Sequence, residues 1–193
     1  MRLLIAVLFS SLITSLNLAQ AAEVAGVKFA ERIDGPGGAK LVLNGAGLRT
    51  RVFFKVYAMG LYLGARKARA EEVLALAGSK RIAIRMLRNV GADTFSEALV
   101  DGLRANHSEA EMQALAPQVA QLVAIMAEVK EAKEGMAIAL DEVPGKSVVV
   151  RIDGVPSGKP IDGKDFYRAL LRIWLGPNPV QDDLKAALLG AKP

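Results

Sequence analysis

The sequence predicts an α+β fold in which one large antiparallel sheet carries its helices on one side. Segments that alternate between apolar and polar residues, as half-buried strands do, occur early in the chain and again after its middle. Each group of strands is followed by two segments with helical spacing, and such separate runs of strands and helices are typical of α+β domains. We find no internal repeat, low-complexity tract or linker, so we expect a single domain over residues 22–193.

Residues 1–21 have the features of a cleaved secretory signal peptide. Met1 and Arg2 form a short positive region, and an apolar run follows over residues 3–18. The tripeptide at 19–21 (Ala-Gln-Ala) has the small residues that signal peptidase recognises. We therefore expect a periplasmic protein exported through this signal, with an uncleaved membrane anchor as the alternative.

The composition of the chain excludes several classes of function. It has no cysteine and one histidine among 193 residues, which excludes disulfides, thiol catalysis and thiolate metal sites, so we expect no metal and no cofactor. The formal net charge of +5 is scattered without a run of five like charges, and we expect no nucleic-acid partner. No apolar stretch after the leader approaches the roughly 20 residues that span a bilayer, so we expect no stable membrane insertion after cleavage.

The strand predictions rest on period-two alternation and on turn residues. A glycine-rich turn is expected at 34–38 and a two-residue hairpin turn at Asp153-Gly154. The segment Asn44–Gly47 is interpreted as a loop between two strands. The expected strands are Val24–Ile33, Lys40–Leu43, Arg51–Leu63, Arg81–Arg88, Met136–Glu142 and Ser147–Ile152.

Capping patterns and stop signals predict four helices. The spacing Thr94-x-x-Glu97 and the spacing Ser108-x-x-Glu111 each match a capping box, and the second opens a long helix that we expect to end at Gly135. A third helix is expected over 163–175. A fourth is expected to be capped by Asn178, with Pro179 at its first position.

The basic residues of the strands form the most suggestive polar pattern. Five of them could converge with Tyr57 at one groove, where guanidinium groups and a hydroxyl would hold a carboxylate. The alternative is that they form the solvated face of an exposed sheet. The lone His107 is interpreted as an exposed residue between helices. The five basic residues are Arg49, Arg51, Lys55, Arg81 and Arg85.

Two consecutive segments resemble the signature of the chalcone isomerase superfamily. They are Leu43-Asn-Gly-Ala-Gly-Leu-Arg49 and Phe54-Lys-Val-Tyr-Ala-Met-Gly-Leu-Tyr-Leu63, a glycine-rich turn that ends in arginine followed by a strand with aliphatic, glycine and tyrosine positions. The order of the later elements is also similar, so the resemblance covers nearly the whole mature chain. It implies an open-faced sandwich with a ligand cleft between the sheet and the helices.

The resemblance also implies which positions face the ligand. Arg49 matches the arginine of the plant enzymes, whereas Tyr57 stands at the position of their threonine, Phe95 at that of their tyrosine and Gly102 at that of their asparagine. Tyr167 occupies the position of a small hydroxyl residue on the late helix. Phe95 cannot polarise a water and Gly102 has no hydrogen-bonding side chain, so we expect chalcone isomerase activity to be lost and name no catalytic residue.

Some members of the superfamily bind fatty acids through an arginine and a tyrosine. By this resemblance we expect a periplasmic protein that binds a small amphipathic acid in its cleft, with Arg49 and Tyr57 on the carboxylate. Two alternatives remain open. One is an intramolecular lyase that acts on an unknown enone, and the other is a non-catalytic envelope protein that binds a partner through its sheet edge.

Overall fold

The computed structural model describes residues 21–144, 147–163 and 165–191 of the chain. The predicted signal peptide lies outside these residues except for Ala21. The described elements form one large antiparallel sheet, one face of which carries the helices, so the predicted fold class is confirmed.

The sheet has the strand order β11-β10-β9-β6-β5-β4-β3, and β12 also pairs with β10. Every pairing is antiparallel, as expected for half-buried strands with alternating residues. Two further short pairs, β1 with β2 and β7 with β8, lie outside this sheet. The strands are β1 Ala22–Val24, β2 Val27–Phe29, β3 Arg32–Asp34, β4 Lys40–Arg51, β5 Phe54–Leu63, β6 Lys80–Met86, β7 Val90–Gly91, β8 Glu131–Ala132, β9 Ala137–Val143, β10 Ser147–Ile152, β11 Val155–Pro156 and β12 Ile161–Asp162.

The β4–β5 hairpin differs from the sequence prediction. The segment Asn44–Gly47 is not a loop but the middle of β4, and the chain turns at Val52 and Phe53 instead. The pairing skips Asn44, whose side-chain amide donates to the Leu188 carbonyl at 2.7 Å. A Cβ at Gly45 would overlap the backbone of the last helix. These glycines therefore allow a helix to lie directly on the strand rather than forming a turn.

The predicted edge strand over Val24–Ile33 is divided into three short strands. The chain reverses between β1 and β2 at Ala25 and Gly26, both of which have a positive φ. Phe29 at the end of β2 is buried on the face of the sheet opposite to the helices, together with Tyr62 and Leu41. The N-terminal hairpin thus covers part of the face that an open-faced sandwich would leave bare.

Five α-helices are present in the described part of the chain, one more than predicted, because the short α1 was missed. The capping box of α3 is confirmed: the Ser108 hydroxyl accepts from the Glu111 N–H and the Glu111 carboxylate accepts from the Ser108 N–H. The helices are α1 Ala70–Ala75, α2 Ala92–Arg104, α3 Glu109–Val129, α4 Phe166–Leu175 and α5 Asp182–Leu188.

Three predicted helix boundaries were wrong, and in addition α4 begins at Phe166 instead of at 163. Helix α2 begins two residues before Thr94 and has no side-chain cap. Helix α3 ends at Val129, where Lys130 adopts a φ of 63°, so that β8 can form before Gly135. Asn178 does not cap α5, which begins at Asp182, because its backbone and side chain bind the α2–α3 connection instead.

The length and composition of helix α3 contradict the expectation that no later apolar stretch is long enough to span a membrane. The helix has 21 residues and, by length and composition alone, could cross one. In the structure α3 packs against α2, and its buried residues Leu122 and Ile125 belong to the main core. Just before it, His107 is half-buried rather than exposed, with Nδ1 2.8 Å from the Leu103 carbonyl oxygen.

Candidate ligand-binding site

A cavity of about 970 Å³ lies between the helix-bearing face of the sheet and the helices. This volume is at the upper end of the range of small-molecule sites. Strands β5, β6, β9 and β10 supply one wall, and helices α2, α3 and α4 supply the other. The deep lining is almost entirely apolar and includes Ile84, Leu99, Leu122, Ile125, Ile138, Leu140, Val150 and Ile173.

The buried polar group on the sheet side of this cavity is the hydroxyl of Tyr57. Its oxygen accepts a hydrogen bond of 2.9 Å from the indole N–H of Trp174, a residue of α4 that also lines the cavity. Both side chains are buried. No acceptor for the Tyr57 hydroxyl proton occurs among the described residues, so this proton remains available to a ligand while Trp174 fixes the oxygen.

The Tyr57 hydroxyl is held in its neutral form. Burial raises its pKa above the ordinary value of 10, and the hydrogen bond from Trp174 and the charge of Arg49 offset part of this effect. A neutral hydroxyl in an apolar wall acts as a hydrogen-bond donor at physiological pH.

Arg49 lies directly across the β4–β5 ladder from Tyr57 and lines the same cavity. Its guanidinium donates to the Thr50 carbonyl and, at 3.3 Å, to the side-chain oxygen of Gln181. Gln181 also accepts from the Thr50 N–H at 2.9 Å and donates to the Leu48 carbonyl at 3.2 Å, which fixes the end of β4 to the start of α5. No carboxylate pairs with Arg49 in the described ranges.

Phe95 and Gly102 both lie in the α2 wall of the cavity. A Cβ at Gly102 would lie 2.8 Å from Cγ2 of Ile173 on α4. Glycine therefore lets the two helices approach closely, and its place in the cavity wall follows from that packing. Phe95 adds an aromatic surface without a hydrogen-bonding group.

The predicted convergence of five basic residues is wrong for three of them, because Lys55, Arg81 and Arg85 are not part of the cavity lining. Arg81 and Arg85 alternate along β6 with buried residues that face the helices, and so they lie on the opposite face of the sheet from Tyr57. Arg81 binds the fully buried carboxylate of Asp141 with contacts of 2.5 and 2.7 Å, and Arg151 binds it at 2.9 Å. Arg85 donates to the Gly135 carbonyl.

Tyr167, the fifth predicted ligand residue, is not part of the cavity lining. It is buried in the core, where its hydroxyl donates to the Leu140 carbonyl at 3.1 Å. Trp174 and Gln181, which bind the Tyr57 and Arg49 side chains, were not predicted as site residues. The mouth residue Arg88 was not singled out, because nothing in the strand pattern distinguished it from other surface arginines.

The arrangement can bind an anion in an otherwise apolar space. At the mouth, Arg49, Arg51 and Arg88 are the cations, and the carboxylates of Glu97 and Asp101 lie on the exposed side of α2. The described residues contain no cluster of three or more side chains that could hold a metal ion. Where β4 and β5 pair beside the cavity, the available donors are the Arg49 guanidinium and the neutral Tyr57 hydroxyl.

Comparison with known proteins identifies the family of this chain. Residues 21–190 match the model of the chalcone isomerase-like family. A solved structure, that of a fatty-acid binding protein from Arabidopsis thaliana, is similar with a TM-score of 0.62 and 16% identity, and covers 85% of this chain and 92% of that one. A search of functionally curated proteins finds no match. The chain thus belongs to the chalcone isomerase-like family.

Proposed function

We propose that this protein binds a small amphipathic acid of the fatty-acid type in its cavity and does so in the periplasm, without chalcone isomerase activity. The observation that carries the proposal is the pairing of Arg49 with Tyr57 at one end of an apolar cavity. The cation has no carboxylate partner in the described chain, and the hydroxyl has an unused proton. Both groups can donate strong, charge-assisted hydrogen bonds to a carboxylate.

The apolar lining supports a ligand with a hydrocarbon part. Burying a methylene group stabilises a complex by about 0.8 kcal/mol, so a long alkyl chain would supply most of the affinity and the polar pair would supply the orientation. The similar fold of a protein that is named for fatty-acid binding supports the same class of ligand.

The alternative of an enone isomerase receives less support. Such a reaction needs a base or a pre-ionised nucleophile as well as an oxyanion donor. Burial keeps Tyr57 neutral, and the carboxylates of the described cavity lining are exposed at its rim.

Calorimetric titration of the mature protein with palmitate tests the proposal. We expect saturable binding of palmitate and much weaker binding of hexadecanol, which has the same chain without the carboxylate. Arg49→Ala should weaken palmitate binding by at least about tenfold, because a hydrogen-bonded charge pair is lost. Arg85→Ala is the matched control, since it removes a strand arginine from the opposite face of the sheet and should leave the affinity unchanged.

Equal affinities for palmitate and hexadecanol would contradict a carboxylate site. Equal losses of palmitate affinity in Arg49→Ala and Arg85→Ala would show that the net charge of the protein, and not the position of Arg49, determines binding. If no ligand binds while enones are turned over, the isomerase alternative replaces the proposal.

The periplasmic location is tested separately by fractionating cells that express the full chain. We expect the protein in the periplasmic fraction with Ala22 as its N-terminal residue. Recovery of the intact N-terminus in the membrane fraction would favour an uncleaved anchor.

A further inference from the structure

The tip of the β4–β5 hairpin exposes three consecutive apolar side chains. Val52 is 79% exposed, Phe53 93% and Phe54 59%. Val52 also adopts a φ of 57°, a conformation that a β-branched residue rarely takes. Two aromatic rings in water and a strained valine are unfavourable for an isolated protein, which indicates that the tip has a partner.

Basic residues surround this tip. Arg51 and Lys55 flank it on the two strands, and Arg88 lies over the ring of Phe54 at 4.7 Å from its centre. None of these three cations forms an ion pair within the described ranges. A convex tip with apolar residues at its end and cations behind them matches the layering of a membrane surface, where acyl chains lie beneath anionic headgroups.

The same tip borders the ligand cavity. Val52 and Phe54 line its mouth together with Arg51 and Arg88, whereas Phe53 is not part of the lining. A surface that contacted this tip would therefore face the entrance that leads to Arg49. A tip of three apolar residues is also much smaller than a stable protein interface requires.

We propose that the β4–β5 hairpin tip docks on anionic phospholipid bilayers, with Phe53 inserted among the acyl chains and Arg51, Lys55 and Arg88 on the phosphates. Docking itself does not depend on the ligand. Its use, the exchange of an amphipathic acid between the bilayer and the cavity, rests on the proposed function.

Vesicle flotation of the mature protein tests the docking. We expect the protein to float with mixed phosphatidylglycerol and phosphatidylethanolamine vesicles, and not with phosphatidylcholine vesicles. Phe53→Ser should lower the partition coefficient by about tenfold, because the apolar area that enters the bilayer is lost. Val155→Ser removes a side chain that is 67% exposed on another hairpin and should change nothing.

The charge contribution is tested with Lys55→Gln. Removing one cation near an anionic surface should lower partitioning by about fivefold at low salt, and the difference should shrink as salt is added. Binding that is independent of Phe53, or equal on anionic and neutral vesicles, would overturn the proposal. A dimer that forms without vesicles and dissociates in Phe53→Ser would overturn it in favour of self-association.

Failure of docking can be distinguished from failure of the proposed function. Phe53→Ser should keep the palmitate affinity of the unmodified protein while it slows transfer of palmitate from the vesicles. Normal palmitate affinity without flotation would overturn docking alone. Flotation of a protein that binds no palmitate would overturn the proposed function alone.

Discussion

The polar residues on the two faces of the sheet differ in whether their hydrogen-bonding groups are satisfied within the protein. On the face that bears the helices, Arg49 and Tyr57 lie beside an open cavity and keep donors that no described residue uses. On the opposite face, Arg81 and Arg151 converge on the buried carboxylate of Asp141. The first arrangement leaves binding capacity for a ligand, whereas the second is satisfied within the protein.

Strand β5 shows the same difference in its tyrosines. Tyr57 accepts a hydrogen bond from Trp174 and has no described acceptor for its own proton, whereas Tyr62 on the other face donates to the Ala30 carbonyl at 3.1 Å. Position on one face or the other thus distinguishes a site residue from a structural one of the same type.

The largest effect is expected at the buried carboxylate. Asp141→Asn leaves two guanidinium groups facing a neutral, poorly accepting amide, and should lower the free energy of unfolding by about 3 kcal/mol. Urea denaturation measures this change. Palmitate affinity should be retained, because the opposite face is untouched.

The control for this prediction is Asp165→Asn. The ion pair of Asp165 with Arg168 is exposed on both sides and should contribute less than about 0.5 kcal/mol. Similar losses in the two variants would contradict a structural role that is specific to the far face.

A smaller effect is expected where α2 crosses α4. Gly102→Ala places a methyl group 2.8 Å from Ile173, and the resulting overpacking should cost about 1–3 kcal/mol, offset in part by the better helix propensity of alanine. Thermal denaturation measures the net loss. Gly64→Ala, which meets no atom within 4 Å, is the matched control and should be close to neutral.

The tyrosine pair gives a direct comparison of the two faces. Tyr57→Phe should weaken palmitate binding severalfold and should also destabilise the protein by about 1 kcal/mol, since the indole N–H of Trp174 loses its acceptor. Tyr62→Phe removes the same hydroxyl from the far face. It should leave the affinity unchanged, and calorimetric titration of both variants would show whether it does.

Tyrosine ionisation should have the smallest effect on the free energy of unfolding, because it changes this free energy only at alkaline pH. Burial raises the pKa of Tyr57 and Tyr167, and it raises the pKa of Tyr62 to about 12. The folded state therefore keeps protons that the unfolded chain releases above pH 10. The tyrosine contribution to stability should be constant below pH 10 and fall as the pH rises towards 12, and Tyr62→Phe should reduce the slope.

The local features of the fold were predictable because they depend on neighbouring residues. Alternation located the main strands, and the spacing of Ser108 and Glu111 located the start of α3. The turn between β4 and β5 was not predictable, because Gly45 and Gly47 are also typical of a loop. In the structure these glycines allow contact with α5, and the hydrogen bond from Asn44 to Leu188 of that helix joins residues 144 positions apart.

The site was predictable only in part for the same reason. The pattern placed Tyr57 on the same face as Arg51 and Lys55, but the chain turns at Val52 and the pairing skips Val56, so alternation does not continue across this region. The family motif still pointed to Arg49, which lines the cavity. Trp174 could not be recognised as a partner of Tyr57, because the two lie 117 residues apart and helical spacing alone indicates a core residue.

A crystal structure of the mature protein with a terminally brominated fatty acid tests the central claim most directly. We predict that the carboxylate lies within hydrogen-bond distance of the Arg49 guanidinium and the Tyr57 hydroxyl. The anomalous signal of bromine should lie between α3 and the sheet, near Ile125 and Val150. An empty cavity at saturating ligand, or a carboxylate bound elsewhere with Arg49 and Tyr57 unoccupied, would contradict the account.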